Sequence, residues 1–471
     1  MDFLNERRTG ILFPVFSLPS PYGIGTLGPD AFTFLDKLKE AGQTYWQILP
    51  TGPTGYGDSP YQSDSTFAGN PYFIAPELLR ETGLLKNGEL KENEWGSDPS
   101  RADYGLLYKK RALLLEKAFR RFEPDSAYKD FVDAESHWLD GYASYMNRKE
   151  GKSEDYTRFV QYEFYSQWHA LKNYANRLGI RIIGDIPIYV SQDSADMEKD
   201  RDLFQLDEDG KPSAIAGCPP DAFAAKGQLW GNPLYNWDYH EETGFSWWIG
   251  RMKHCFEMYD IVRVDHFRGF DEYYSIPYGA ADASLGEWKK GPGMKLFRAL
   301  KIALGEKPVI AEDLGYLTDS VRRLVKDSGY PGMKVLEFAF DSREAGDYLP
   351  DTWPENCVAY TGTHDNQTLK SWVGELTPED QRSAAIYLHR TVKELLSGDY
   401  VYDFIRLTMN SAANTVIIPM QDYMRLSSEA RINKPATMGG NWTCRFTKEL
   451  FTDKVWEEIP VITKESRRER R

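Results

Sequence analysis

Short apolar runs rich in β-branched residues recur along the chain, and segments with helical spacing of apolar positions separate them. Eight such runs are read as strands, at residues 11–16, 44–49, 181–186, 260–265, 308–313, 333–338, 357–361 and 415–420. Alternation of this kind predicts parallel βα units, and eight of them predict an α/β protein of the (β/α)8 TIM-barrel type. Between the first two runs, Ala31, Phe34, Leu35, Leu38 and Ala41 share one helical face, with Asp30 placed to cap its start and Gly42 to end it. The connections are unequal. Insertions at approximately residues 50–180 and 187–259 are expected to form subdomains on the C-terminal rim of one catalytic barrel spanning residues 1–471. The first opens on the turn-rich stretch PTGPTGYGDSPYQ and contains a helical stretch at 104–119; the second contains LDEDGKP, whose Asp209-Gly210 step predicts a hairpin turn. The final KESRRERR is expected to be a solvated, charged end.

Composition narrows the functional classes. With 41% hydrophobic and 27% charged side chains, the chain of 471 residues can bury a large core, which excludes wholesale disorder. A formal charge of −14 argues against nucleic-acid or anionic-membrane partners and fits a neutral ligand. The four cysteines are far apart and form no paired ligand motif, and LDEDG falls short of a calcium loop, so no metal and no cofactor is expected. No apolar run reaches membrane-spanning length, and charges interrupt the N-terminal stretch; with the scattered thiols this predicts a cytoplasmic protein. The 29 Tyr and 13 Trp supply flat apolar faces with polar edges, suited to stacking a ligand.

One motif points elsewhere. Gly23-Ile24-Gly25-Thr26-Leu27-Gly28 matches Gly-x-Gly-x-x-Gly between a strand and a helix, the setting of a dinucleotide site. Pro21 and Pro29 bracket it, and the next strand ends in Leu49-Pro50 without the acidic residue a ribose needs. A tight βα loop lining a cleft is the better reading.

Three strand ends deliver carboxylates: Asp265 in RVDHFRG, Glu312 in VIAEDLG and Asp365 in TGTHDNQT. In a closed parallel barrel those ends gather on the face where active sites sit. Arg263 and Asp265 are two apart and point to one face of their strand, so the guanidinium is expected to favour an ionised, nucleophilic Asp265. Glu312 has no arginine in its own run and suits a carboxyl kept protonated by burial. Two carboxyls with separated proton affinities describe retaining glycoside chemistry, for which a spacing of about 5–5.5 Å is expected. His266 and His364 flank two of these aspartates and are candidates for sugar hydroxyls. Tyr56, Tyr61, Trp230 and Tyr235 lie on the rim insertions as candidate stacking rings.

The motifs SLPSPYGIGTLG, YWQILPTGPTGYGDSPYQS, FAGNPYFI, GDIPIYV, AGCPPDAF, WGNPLYNW, RVDHFRGF, AEDLG, YTGTHDN, IIPMQD and GGNW run nearly end to end. On them the sequence resembles the amylomaltases, 4-α-glucanotransferases related to the α-amylase clan. The resemblance implies a barrel without a separate C-terminal β-domain, with Asp265 as nucleophile, Glu312 as general acid/base and Asp365 as the third carboxylate. It implies that Arg263, His266 and His364 bind the donor sugar, that Tyr61 faces it, that Asp221 lies in a covering loop, and that Tyr56 belongs to a more distant glucan contact. The implied partners are malto-oligosaccharides, amylose and glucose as acceptor. An α-amylase-like hydrolase is the alternative, since barrel and carboxylates do not separate transfer from hydrolysis. Gln367, Ala222, Ala436 and Cys444 depart from the family pattern, which often has Asp at the first, a tyrosine in some members at the second, and Gly and Trp at the last two. Gln367 removes a negative charge expected near Asp365, and Ala222 puts an acceptor-stacking role for its loop in doubt.

Overall fold

The computed structural model describes residues 4–55, 57–90, 95–220, 225–315, 317–340, 348–397, 399–437 and 439–469. Eight parallel strands form the barrel: β1 (Arg8–Leu12), β2 (Tyr45–Gln47), β3 (Arg181–Pro187), β4 (Ile261–Asp265), β5 (Val309–Ala311), β6 (Gly332–Val335), β7 (Cys357–Tyr360) and β8 (Thr415–Pro419). Neighbours in sequence pair from β1 through β5 and from β6 through β8, and β8 pairs with β1. The β5–β6 seam is joined by the Ala311 amide donating to the Pro331 carbonyl at 3.0 Å and the Met333 amide donating to Asp313 Oδ1 at 2.7 Å. Each of the eight expected runs overlaps a strand, although the sixth stops at Val335, where Leu336–Phe338 form a turn instead. The first lies three residues earlier than the apolar pattern indicated, because Pro14 opens a turn over Val15–Ser17.

Buried Tyr45, Ile183, Ile261, Ile310, Met333, Val358, Tyr360 and Ile417 fill the barrel interior, each burial contributing roughly 1.5–3 kcal/mol. The same interior carries polar groups toward the C-terminal ends of the strands: Gln47, Asp185 and Arg263 are all buried. Period-two alternation places Asp185 two residues beyond Ile183 and Arg263 two beyond Ile261.

The helix Pro29–Glu40 buries Ala31, Phe34, Leu35 and Leu38 as expected, but Gly28 is its N-cap and Pro29 its first residue. Asp30 instead pairs with Lys448 at 2.8 Å. The glycine loop before this helix is covered rather than open to a cleft. A side chain at Gly23 would meet Trp95 at 2.6 Å, and one at Gly25 the Val15 carbonyl at 1.8 Å, so these glycines serve close packing.

Between β2 and β3 stand helices Tyr104–Phe119, Ser126–Glu150 and Glu154–Leu178, the first with the bounds the sequence indicated. Ser153 caps the last of them and Gly179, at φ +78°, ends it at the start of β3. Between β3 and β4 the Asp209-Gly210 turn forms, with the Gly210 amide donating to the Asp207 carbonyl at 2.9 Å. Strands Ala214–Cys218 and Gln228–Pro233 from this connection join Glu272–Pro277 and Glu287–Lys290 from beyond β4 in a four-stranded antiparallel sheet. The rim therefore draws on three connections, one more than expected. The charged C-terminal end is also different from its expected form: Arg468 is completely buried beneath the barrel.

Ala436 sits at φ +61°, in the left-handed region, and is exposed. Relief of a strain of roughly 1–2 kcal/mol, less the extra chain entropy of glycine, makes Ala436→Gly stabilising by up to about 1 kcal/mol. A denaturant midpoint no higher than that of the parent would contradict this.

Candidate active site

Asp265 is the last residue of β4, Glu312 follows β5 directly, and Asp365 lies in the loop after β7. A continuous set of contacts joins them. Arg263 Nη1 donates to both oxygens of Asp185 at 2.7 Å and to Asp265 Oδ1 at 3.1 Å. The Tyr61 hydroxyl is 2.9 Å from Asp185 Oδ2 and 2.9 Å from His364 Nε2, which lies 3.4 Å from Asp365 Oδ1. On the other side, the His266 amide donates to Glu312 Oε2 at 2.7 Å and the Leu314 amide to Glu312 Oε1 at 2.9 Å. Carboxyls far apart in sequence thus share one face of the barrel.

Exposure separates their roles. The Asp185 side chain is 0% exposed and Arg263 4%, whereas Asp265 is 31% and Asp365 44% exposed. The sealed pair forms the floor and the open carboxylates face the cleft. Burial pushes Glu312 up to about 7, reinforced by the negative charge of Asp265 and opposed by Arg263 and by the two amides it accepts. Burial also raises Asp265 above the ordinary aspartate value; Arg263 pulls the other way. The guanidinium was expected to dominate at Asp265. It does not, because Asp185 holds it more closely. Asp265 still has a cation in contact and Glu312 has none among the described residues, so Asp265 ionises more readily and Glu312 is the better proton donor.

His266 adopts a left-handed backbone at φ +54° and its Nε2 is buried without a protein partner among the described residues. Burial lowers it to about 3, so its ring is neutral. Burial likewise lowers His364. Trp230 stands edge-on to His266 with ring centroids 4.8 Å apart, and Tyr61 stacks on His364 at 5.2 Å. Trp442, also left-handed at φ +62°, packs against both Tyr61 and His364.

Two polar residues of the site escaped the sequence reading. Asp185 was visible only as a charge inside a buried strand. Asn433, whose Nδ2 donates to Asp365 Oδ1 at 2.6 Å, lies in a stretch with no periodic signal. Tyr235 does not serve stacking: it is 1% exposed, enclosed by Phe204, Trp237, Trp247 and Trp248, and its hydroxyl donates to the Ile188 carbonyl. Gln367 turns from Asp365 and donates to Glu375 Oε1 at 2.8 Å. Cys444 is buried, its carbonyl accepting from the Ser17 hydroxyl. Tyr56, Asp221 and Ala222 lie outside the described residues. Among the described residues no cluster of three His, Cys, Asp or Glu side chains is arranged to hold a metal ion, and no helix is long and apolar enough to cross a membrane.

A closed parallel barrel with an aspartate, a raised glutamate and a further aspartate on its C-terminal face is the arrangement of an enzyme acting on glycosidic bonds. A family profile described as 4-alpha-glucanotransferase matches residues 13–156 and 147–451. The chain is 44% identical to the 4-alpha-glucanotransferase of Clostridium butyricum, over 96% of this chain and 98% of that one. It is also 44% identical to that of Thermus thermophilus, over 93% and 94%. The amylomaltase of Streptococcus agalactiae, solved in complex with acarbose, superposes with a TM-score of 0.94 at 39% identity, covering 99% of this chain and all of that one. The chain belongs to the 4-alpha-glucanotransferase family.

Proposed function

We propose that the chain, working as one cytoplasmic catalytic domain, cleaves an α-1,4 bond of a malto-oligosaccharide or amylose and passes the glucanyl segment to the 4-hydroxyl of another glucan or of glucose. Asp265 attacks the anomeric carbon while Glu312 protonates the departing oxygen. The resulting glycosyl ester on Asp265 is then attacked by the acceptor hydroxyl, whose proton Glu312 takes, so configuration is retained. Asp365, with His364 and Asn433 against it, grips hydroxyls of the distorted donor ring. Arg263, with Tyr61 and Asp185, holds Asp265 in place and lines the donor floor; His266 and Trp230 form its other wall. Tyr56 and Asp221 keep the contacts implied by resemblance, at a distant glucan surface and a covering loop.

The observation that carries this reading is the asymmetry of the pair: a cation touches Asp265, and burial lifts Glu312 to about 7. Transfer prevails over hydrolysis when an acceptor sugar is held in line, since such positioning reaches effective molarities on the order of 10⁵ M or more. Incubation with maltotriose alone is the test. Longer glucans and free glucose with little gain in total reducing ends are expected; a steady rise in reducing ends would instead identify the hydrolase.

A further inference from the structure

Behind the loop bearing His364 and Asp365 lie two buried carboxyls that touch neither Asp265 nor Glu312 among the described contacts. Asp422, 1% exposed, follows β8; its Oδ2 accepts the Thr361 hydroxyl at 2.7 Å and its Oδ1 the Leu369 amide at 2.9 Å. It thus pins both ends of the loop 361–369. Glu337, 9% exposed, follows β6 and lies beside the middle of the loop, where Asn366 and Gln367 favour its charged form against its burial. Asn366 in turn accepts the Thr363 amide at 2.9 Å and the Thr363 hydroxyl at 2.8 Å. The Glu337 amide donates to the Thr361 carbonyl at 3.1 Å, completing the attachment of the loop to the β6 end.

We infer that Glu337 and Asp422 are positioning residues, which fix the 361–369 loop and through it set the reach of Asp365 and His364 into the donor site, and that Glu337 acts as a neutral group. Glu337 Oε1 has no hydrogen-bond partner among the described residues, and a side chain built at Gly362 would meet it at 2.9 Å. A charged oxygen buried there would be unsolvated; a neutral carboxyl carries much less of that cost. Burial, with Asp422 nearby, accordingly holds Glu337 well above the ordinary glutamate value, while Arg431 opposes this from the segment whose guanidinium donates to the Asp365 carbonyl at 2.7 Å. Asp422 itself is pushed up to about 7 by burial.

The inference rests on Asp365 being the third catalytic carboxylate, and the experiment separates the two ideas. Disproportionation of maltotriose is measured, at raised enzyme concentration where needed, for Glu337→Leu, Glu337→Gln and Gly362→Ala, and for Glu337→Leu and Gly362→Ala in an Asp365→Asn background. Loss of loop placement lowers kcat more than it raises KM, by on the order of 10–10²-fold for Glu337→Leu. Glu337→Gln stays within about threefold of the parent, since the amide is neutral and keeps an acceptor oxygen. In the Asp365→Asn background the Leu substitution costs little more, because the group it displaces is already disabled. An equal loss in both backgrounds would overturn the positioning role, and a loss in Glu337→Gln as large as in Glu337→Leu would overturn the neutral form. Should Glu337→Leu not fold, Gly362→Ala applies the same displacement from the loop side and is expected to show the same non-additivity with Asp365→Asn; additivity there overturns the role. Near-parent activity of Asp365→Asn alone would mean that the reading of Asp365 has failed, not that of Glu337.

Discussion

Glu312→Gln is expected to fold and to lose at least ~10²-fold in kcat/KM on maltotriose, the lower end of what general acid catalysis contributes. Both Glu312 oxygens accept backbone amides, from His266 and Leu314. Glutamine must turn its NH2 toward one of them, so a modest stability loss of about 1–3 kcal/mol accompanies the change. Denaturation measures that loss separately from activity, and the activity falls even where the variant is fully folded. In the parent, kcat/KM on the alkaline side falls as pH rises through about 7, because the donor must carry its proton and Glu312 is held near that value. Burial sets this position first, Asp265 adds to it, and Arg263 and the amides of Leu314 and His266 oppose it, with the neutral His266 ring adjacent. In the Gln variant the alkaline limb disappears. A donor whose leaving group needs no proton, such as a glycosyl fluoride, is expected to restore glycosylation of Asp265 in the variant. Near-parent turnover of maltotriose by a folded Glu312→Gln would remove Glu312 from its role.

The eight-stranded plan was legible because buried parallel strands read as continuous apolar runs, and the three carboxylates because each ends or closely follows such a run. What stayed hidden has physical reasons. The antiparallel rim sheet uses strands such as Gln228–Pro233 and Glu287–Lys290, partly exposed and short, with glycine or charge where alternation would announce a strand. Asp185 sat inside a strand that looked purely structural, yet its two-residue offset from Ile183 aims it along the same interior face, where only a buried cation makes a carboxylate tolerable. Arg263 is that cation, and the strand-pair register places Asp185 opposite it. Tyr235 looked like a stacking ring because ring chemistry is the same in a core and in a cleft; only its neighbours distinguish the two.

Arg468 gives the other large effect. A run of charges ending the chain is normally solvated, but here Nε donates to the Met409 carbonyl at 2.6 Å and Nη2 to those of Ala413 and Ser411 at 2.7 and 3.1 Å. Nη1 reaches the carbonyls of Arg8 and Asn414, immediately at the N-terminal ends of β1 and β8. Burial, followed by the nearby charge of Arg7, lowers Arg468 to about 9, which leaves it a cation at neutral pH. The five carbonyls replace the water it has lost. Arg468→Ala removes one donor from each of them and opens a void the size of a side chain, and a loss of about 3–5 kcal/mol is expected, the scale for breaking a buried charged network. Arg468→Lys does not restore it, since one ammonium cannot span carbonyls arranged for a planar fork. The Met409 and Ser411 carbonyls also accept from Arg7, so Arg7→Ala combined with Arg468→Ala is expected to cost more than the sum of the two alone. The N-terminal face of such a barrel carries stability and the opposite face catalysis. The denaturant midpoint should therefore drop sharply, while kcat/KM of the still-folded variant at 25 °C stays within about twofold of the parent. An unchanged midpoint would return the C-terminal charges to the status of a solvated end.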